Sequence, residues 1–236
     1  MKQNKQQTML ALEKFIEVVE ELRSDHGCPW DKAQTHDSLR MQLIEEAYEA
    51  ADAMYQYEKT GEYENLREEL GDVLLHVVMH SVIAQEEGIF TLQEVTEEIT
   101  EKMIHRHPHV FHQEEWKQQE HKKTWEELKA EEKGHDKTKV LPLRQIPKHL
   151  PALLKAAKVQ KKADSNYGRK IEEKISLEQI SLLGQQLEKA SSAKEKEKIM
   201  TAMLYHMTNV AWQEKINLEQ GLMDKTQIMI EALERE

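Results

Sequence analysis

Helical periodicity is the feature of this sequence that most limits its possible folds. Apolar residues recur every three or four positions through four successive segments of the first half, at about residues 8–23, 35–57, 64–87 and 91–107. The whole chain has only 8 Gly and 5 Pro among 236 residues, which is few for a fold of many short strands and tight turns. The pattern therefore predicts an all-α protein built as a helical bundle.

Local signals indicate where these helices begin and end. Thr35 or Ser38 is the expected N-cap of the second helix, and Thr91 and Glu94 form the signature of a capping box at the start of the fourth. Gly88 suits the position after the third helix. Pro108 predicts that the fourth helix ends before it.

Composition and charge exclude several classes of protein. The single cysteine, Cys28, leaves no internal disulfide framework and no cysteine-based zinc site. A net charge of −11 disfavours direct binding to nucleic acid or to an anionic membrane. The first residues lack the apolar stretch of a signal peptide, and the charge-free run from Val73 to Gln85 is too short to span a membrane. We therefore expect a cytoplasmic protein that binds any phosphate compound through a cation.

The chain divides by polarity into three predicted parts. Residues 1–112 contain the four periodic segments and predict a catalytic helical domain. Residues 113–147 are polar and charged, with Trp116 and Trp125 as the large anchors, and predict a linker helix. Residues 148–236 return to helical periodicity and predict a second helical domain.

Charge is distributed unevenly along the chain. The stretch from Lys139 to Ile175 has ten basic and three acidic residues, a net charge of +7, so that the rest of the chain carries −18. This pattern is typical of an amphipathic helix with a solvated basic face. The alternative is contact with an acidic surface or a polyanion.

Four carboxylates in the second and third segments indicate a metal site. Glu46 and Glu49 are three residues apart, as are Glu69 and Asp72, so each pair occupies one face of its helix. The second pair leads into residues 73–84, of which nine of twelve are apolar, and such a helix is buried on most of its circumference. Four converging oxygen donors suit Mg²⁺ or Mn²⁺ rather than zinc. The alternative is a solvated acidic face or a set of salt bridges.

The order of motifs over about residues 10–112 resembles that of a known enzyme family. The pattern Glu-Glu-x-x-Glu at 45–49, followed by Glu-x-x-Asp at 69–72, is similar to the signature of all-α nucleoside triphosphate pyrophosphohydrolases. The more specific match is to the MazG family. Its further motifs are Gly27-Cys-Pro-Trp-Asp-Lys-Ala-Gln-Thr-His36, Leu66–Leu74, Ala84-Gln-Glu-Glu-Gly88 and Arg106-His-Pro-His-Val-Phe111.

The resemblance implies a fold and a reaction. The fold would be a MazG-type helical bundle that forms a homodimer. Glu46, Glu49, Glu69 and Asp72 would hold Mg²⁺, with Mn²⁺ as the alternative cation. The reaction would be hydrolysis of standard or damaged nucleoside triphosphates at the α–β bond, giving a monophosphate and pyrophosphate. Glu45 is the candidate for orienting or deprotonating the attacking water.

Five further residues are candidates for binding the nucleotide. Lys102 and Arg106 share a face near the end of the fourth helix, and the resemblance implies that they lie near the phosphates. Alternatively, they only favour the helix C-terminus electrostatically. Trp30 would stack on a base or plug its loop into the core. Asp31 and Lys32 would contact the nucleotide or hold the same loop.

The second half departs from the family pattern. Residues 150–163 resemble the start of a second metal-binding repeat. Leu183, Gln186, Ile199 and Ala202 then stand where its carboxylate ligands would fall. We therefore predict a degenerate MazG-like domain that cannot hold Mg²⁺ in the same way and serves packing, dimerisation or regulation.

Two other functions are alternatives to this catalysis. A nucleotide-binding regulator or scaffold without turnover would fit the degenerate second half. A di-iron carboxylate oxidase would require Glu-x-x-His pairs, and such a pair occurs only at Glu132–His135, where a glycine interrupts it. His76 and His80, on the apolar third segment, are predicted to be hydrogen-bonded core or interface residues. His107 and His109 are predicted to form a structural turn.

Overall fold

The computed structural model describes residues 2–118, 123, 127–128 and 142–234. Regular structure in these residues consists of α-helices and one 3₁₀ turn, with no strand among them. The all-α prediction is thus confirmed. The chain forms two compact units, residues 1–134 and residues 135–236. None of the described helices combines the length and apolarity that crossing a membrane requires.

The first unit contains seven described helices. They are α1 (Lys2–Arg23), α2 (Pro29–Lys32), α3 (Arg40–Thr60), α4 (Glu64–Glu86), α5 (Leu92–Arg106), α6 (Pro108–Phe111) and α7 (Gln113–Gln118). The predicted linker helix is described only as α7 and three later residues, and Trp125 lies outside the described residues.

The start of α3 differs from the sequence prediction. Thr35 and Ser38 were the expected N-caps, but the residue at that position is Leu39, without a side-chain cap. Thr35 and Ser38 instead bond each other: the Thr35 N–H donates to Ser38 Oγ at 2.9 Å, and the Ser38 N–H donates to Thr35 Oγ1 at 3.1 Å. These local bonds form a turn before the helix, which therefore begins at Arg40.

The start and end of α5 match the sequence prediction. Thr91 Oγ1 accepts a hydrogen bond from the Glu94 N–H at 3.2 Å, and the Thr91 N–H donates to Glu94 Oε2 at 2.7 Å. This reciprocal pair is the predicted capping box. The helix ends at Arg106, before Pro108, as the proline predicts.

A tight connection pairs α3 with α4. Gly61 ends α3 in the left-handed region, with φ +76°, and its N–H donates to the Tyr57 carbonyl at 2.8 Å. A side chain at this φ would be strained. Since α4 begins at Glu64, the chain returns after three residues, and the two helices pack closely.

The core of the first unit lies under the C-terminal half of α4. Its buried members are Val19, Leu39, Val78, Met79, Val82 and Ile83, packed against the partly buried Phe15, Ile16, Leu75 and Leu92. The prediction that α4 is buried on most of its circumference is wrong on one side. Leu70, Leu74 and Val77 are 47%, 42% and 40% exposed, because no described element covers this face of the helix.

The second unit contains four described helices after a 3₁₀ turn at Pro142–Gln145. They are α8 (Ala152–Tyr167), α9 (Glu173–Lys189), α10 (Ala193–Gln213) and α11 (Leu218–Leu233). α10 packs against α9 and α8, and α11 packs against α8. The buried Asn209 joins two of these elements, since its Nδ2 donates to Ser176 Oγ at 2.8 Å and to the Ile171 carbonyl at 2.9 Å.

The turn after α10 has an unusual residue. The Ile216 N–H donates to the Ala211 carbonyl at 2.8 Å, and the Lys215 N–H donates to the Trp212 carbonyl at 3.2 Å, which is the Schellman arrangement. Lys215 has φ +60°, the sole positive φ of a non-glycine residue in the described part of the chain. Gly88, with φ +70°, holds the corresponding position after α4, as the sequence predicts.

Replacing Lys215 with glycine is expected to stabilise the protein. The left-handed conformation costs a side-chain-bearing residue more than glycine loses in chain entropy, so the free energy of unfolding should rise by about 0.5–1 kcal/mol. Urea denaturation followed by circular dichroism measures this change. The matched control is Gly88→Ala, which should lower the free energy of unfolding, and a loss of stability in Lys215→Gly would contradict the strain argument.

Candidate metal centre

Three carboxylates from two helices converge at one point of the first unit. Glu46 and Glu49 lie on α3, Glu69 lies on α4, and one oxygen from each is within 4.8 Å of the other two. Helical spacing puts the two α3 side chains on one face. The turn at Gly61 brings α4 back along α3. The convergence therefore follows from the residue spacing and from a single short connection.

Electrostatic repulsion acts within this cluster. Loss of hydration raises the pKa of Glu46 above its ordinary value, and the charges of Glu49 and Asp72 raise it further. The same causes, in the same order, raise the pKa of Glu69. In the described part of the chain, no lysine or arginine forms an ion pair with the three clustered carboxylates. The arrangement is therefore one that a cation would stabilise.

The donor set fits a hard divalent cation. Carboxylate oxygens are the protein ligands that Mg²⁺ and Mn²⁺ prefer. Two ligands of one Mg²⁺ lie at most about 4.2 Å apart, because each metal–oxygen bond is about 2.1 Å long. The three carboxylate oxygens now lie within 4.8 Å of one another. Small side-chain rotations would bring them to the separation that one Mg²⁺ requires.

Protonation is expected to oppose metal binding at this cluster. The pKa values of Glu46 and Glu69 lie above the ordinary value of 4.5. At a pH between the ordinary and the raised values, the folded, metal-free protein therefore holds more protons than the unfolded chain. The contribution of this cluster to stability therefore falls as pH rises through the raised pKa values. A bound cation such as Mg²⁺ would replace these protons, so its stabilising effect should be largest near neutral pH and decline as the pH falls towards the raised pKa values. Thermal unfolding with Mg²⁺ and with EDTA across this range measures the effect; a Mg²⁺-induced shift in Tm that is constant with pH would contradict it.

Asp72 and Glu45 lie beside the cluster. Asp72 is half-buried one turn after Glu69, and its charge raises the pKa of both Glu46 and Glu69. It does not join the group whose oxygens all lie within 4.8 Å of one another. Glu45 is exposed, and its charge also raises the pKa of Glu46. The structure thus brings together three of the four predicted ligands, with the fourth as an electrostatic neighbour.

The short helix α2 carries the other candidates from the first motif. The side chain of Trp30 is accessible, since the residue is 57% exposed. The Asp31 carbonyl accepts a hydrogen bond from Arg23 Nη1 at 2.6 Å. Lys32 forms an ion pair with Asp25, which holds the pKa of that carboxyl below its ordinary value. The backbone of Asp31 and the side chain of Lys32 therefore hold this loop in place.

Arg23 is a structural residue that the sequence analysis did not identify. Its side chain is 4% exposed. Its Nε and Nη2 donate to Glu86 Oε1 and Oε2 at 3.1 and 2.7 Å, and Nη1 also donates to the Gln34 carbonyl at 3.2 Å. Arg23 thus ties α1 to α4 and to the segment after α2. Its place on the apolar face, four residues after Val19, was the available signal.

Lys102 and Arg106 are half-buried on α5, one turn apart. This helix packs against α4, which carries Glu69. Their contact with a triphosphate remains a prediction.

Three histidines lie next to one another between the loop before α3 and the middle of α4. The Nδ1 atoms of His36 and His80 are 2.8 Å apart, and their rings are stacked with centroids 5.0 Å apart. The ring centroids of His76 and His80 are 6.2 Å apart. His76 is buried, its Nδ1 has no hydrogen-bond partner among the described residues, and its charge lowers the pKa of Glu46. The prediction of hydrogen-bonded histidines holds for His80 but not for the Nδ1 of His76.

His107 lies in the turn between α5 and α6. Its Nδ1 is 2.7 Å from the Met103 carbonyl, and its backbone carbonyl accepts from the N–H groups of Val110 and Phe111. These bonds agree with the predicted structural turn.

Comparison with known proteins identifies the same region. The family model of the MazG nucleotide pyrophosphohydrolase domain matches residues 34–111, which include all four predicted ligands. The chain is 36% identical over 227 residues to the nucleoside triphosphate pyrophosphohydrolase/pyrophosphatase MazG of Thermotoga maritima. This match covers 96% of the chain and 85% of that protein.

Two further relatives match over shorter regions. A nucleoside triphosphate pyrophosphohydrolase of Escherichia coli K12 is 37% identical over 156 residues, covering 65% of this chain and 57% of that protein. The uncharacterized protein YabN of Bacillus subtilis is 45% identical over 150 residues, covering 62% of this chain and 29% of that protein. The chain thus spans less than two thirds of either relative. The near full-length similarity to the Thermotoga protein and the matching domain show that this chain belongs to the MazG family of nucleoside triphosphate pyrophosphohydrolases.

Proposed function

We propose that this protein hydrolyses nucleoside triphosphates, standard or damaged, at the α–β bond and releases a monophosphate and pyrophosphate. The observation that carries the proposal is the group of three carboxylate oxygens within 4.8 Å of one another, contributed by Glu46, Glu49 and Glu69. They lie inside the region that matches the MazG domain. The proposed cofactor is Mg²⁺, with Mn²⁺ as an alternative of the same ligand class.

Each residue of the site has a proposed part in the reaction. Glu46, Glu49, Glu69 and Asp72 would hold the cation, which when bound would withdraw charge from phosphate oxygens and lower the pKa of a bound water. Glu45, exposed beside this group, would orient the attacking water and accept its proton. Lys102 and Arg106 would neutralise the triphosphate. Trp30 would stack on the base, while Asp31 and Lys32 keep its loop in position.

The proposed reaction is tested by product analysis. The purified protein is incubated with a panel of ribo- and deoxyribonucleoside triphosphates, with Mg²⁺ and separately with EDTA, and the products are separated by chromatography. Monophosphate and pyrophosphate formed only with Mg²⁺ would support the proposal. Diphosphate and orthophosphate would show that another bond is broken.

Lys102→Met is expected to weaken substrate use without weakening metal binding. The change removes one cation from the proposed phosphate site but leaves the carboxylates intact, so kcat/KM should fall about tenfold. Steady-state kinetics and a Mg²⁺ titration followed by calorimetry measure the two quantities. Lys59→Met, on α3, is the control. An unchanged kcat/KM would contradict phosphate binding by Lys102 and would indicate that it only stabilises the C-terminus of α5 electrostatically.

A homodimer in the cytoplasm is also proposed. The exposed residues Leu70, Leu74 and Val77 follow each other at helical spacing on α4, and such a face suits a second copy of the chain. Size-exclusion chromatography with light scattering tests the oligomeric state.

Nucleotide binding without efficient turnover is the second candidate function. The observation that favours it is in the second unit, where the predicted ligand positions are occupied by Leu183 and Gln186 on α9 and by Ile199 and Ala202 on α10. Ile199 is buried. Equilibrium binding of a nucleotide without product formation in the chromatographic assay would support this function.

A further inference from the structure

The second unit contains a cavity that the proposed catalysis does not use. Its volume is about 480 Å³, within the range of pockets that hold small organic molecules. It lies between α8, the end of α10 and the start of α11. Its apolar lining includes Leu153, Leu154, Ala157, Trp212, Ile216 and Leu218. No residue of the candidate metal centre lines it.

Lysines line this cavity from two sides. Lys158 and Lys161 are three residues apart on α8 and share a face, and Lys215 follows the end of α10. The acidic member of the described lining, Glu219, is half-buried and accepts hydrogen bonds from the N–H groups of Leu153 at 3.2 Å and Leu154 at 3.4 Å. Its charge is therefore compensated by the N-terminus of α8. The cavity is thus positive although the protein as a whole is acidic.

Lys215 occupies its position at a conformational cost. Its φ of +60° is one that glycine adopts freely, and Gly88 takes the corresponding position in the first unit. Stability alone would favour glycine at both turns. Residues in strained backbone conformations are enriched at functional sites, and here the lysine adds a positive charge to the cavity.

We propose that this cavity binds a small amphipathic anion: an apolar body carrying a phosphate or carboxylate group. The body would lie on the apolar lining, and the anionic group would lie between Lys158 and Lys215. This site is separate from the proposed catalysis, because it shares no residue with the metal centre and requires no divalent cation. The proposal also assigns a function to two residues of the basic stretch between Lys139 and Ile175, because Lys158 and Lys161 line the cavity.

The experiment compares two probes of the same shape. 1-Naphthyl phosphate and uncharged 1-naphthol are titrated into the full chain by calorimetry in the presence of EDTA, so that no cation bridges the phosphate to the carboxylates. We expect the phosphate to bind at least about tenfold more tightly than the naphthol, because charge-assisted bonds hold it. Equal affinities, or no binding of the phosphate, would overturn the proposal.

Variants assign the binding to this cavity. Lys215→Gly should weaken naphthyl phosphate about tenfold while making the protein more stable, and Lys158→Met should weaken it similarly. The control Lys189→Met removes an exposed lysine of α9 outside the cavity and should leave the affinity unchanged. Glu69→Gln should also retain binding, whatever its effect on catalysis. Unchanged affinity in both Lys215→Gly and Lys158→Met, or loss of binding in Glu69→Gln, would overturn the proposal.

Discussion

Glu69→Gln is expected to reduce Mg²⁺-dependent triphosphate hydrolysis by at least about a hundredfold. The substitution keeps the size of the side chain but removes one of the three charged oxygen donors that converge between α3 and α4. Because loss of hydration and neighbouring charges raise the pKa of Glu69, the same change removes repulsion from the metal-free protein. Glu69→Gln should therefore be at least as stable as the wild type in EDTA and lose most of the Mg²⁺-induced rise in Tm.

The control for this prediction is Glu58→Gln. Glu58 is an exposed acidic residue of the same α3–α4 hairpin, beyond the cluster, so its neutralisation should change neither kcat/KM nor the Mg²⁺ response. Circular dichroism should show the same helicity for both variants. If Glu69→Gln hydrolysed triphosphates with wild-type kinetics, Glu69 would not be a metal ligand.

Arg23→Met is expected to destabilise the protein by roughly 3 kcal/mol. The guanidinium is buried and makes two hydrogen bonds to Glu86 and two to the carbonyls of Asp31 and Gln34. Methionine fills much of the same volume but donates nothing, so the two carbonyls lose their donor. Urea denaturation measures the loss of stability. If Trp30 stacks on the substrate base, the loosened loop should also raise KM.

Lys14→Met is the control for Arg23→Met. It tests whether the loss of stability comes from the burial of the Arg23 guanidinium and not simply from the removal of a positive charge on α1. Lys14 pairs with Glu17, but both side chains are largely exposed, at 73% and 57%. Such surface pairs contribute about 0–1 kcal/mol, so this variant should unfold near the wild-type midpoint. Equal losses in Arg23→Met and Lys14→Met would mean that the buried network contributes little.

Features that depend on nearby residues were predictable from the sequence. The capping box at Thr91 and Glu94, the glycine at position 88 and the helix end before Pro108 all depend on contacts within a few residues. The carboxylate cluster was also predictable in outline. Its members belong to pairs at helical spacing on two successive helices, so periodicity alone indicates which side chains share a face.

Features that depend on distant residues were not predictable in this way. The contact of Arg23 with Glu86 joins positions 63 residues apart, and the His36–His80 contact joins positions 44 apart. Periodicity reports that a position is apolar or polar, not which residue it meets. The exposed face of α4 shows the same limit, because an apolar stripe does not identify the element that covers it. The separation of Asp72 from the three clustered carboxylates is likewise a detail of packing.

The short turn at Gly61 has a consequence for how such a centre is inherited. Glu49 and Glu69 are separated by one hairpin, so these carboxylates meet through local chain reversal and without help from distant segments. A ligand set of this kind can accompany its hairpin when genes fuse or divide. The Bacillus relative is 45% identical to this chain over 150 residues, which are 29% of its own length, so the similar region forms one part of a longer protein.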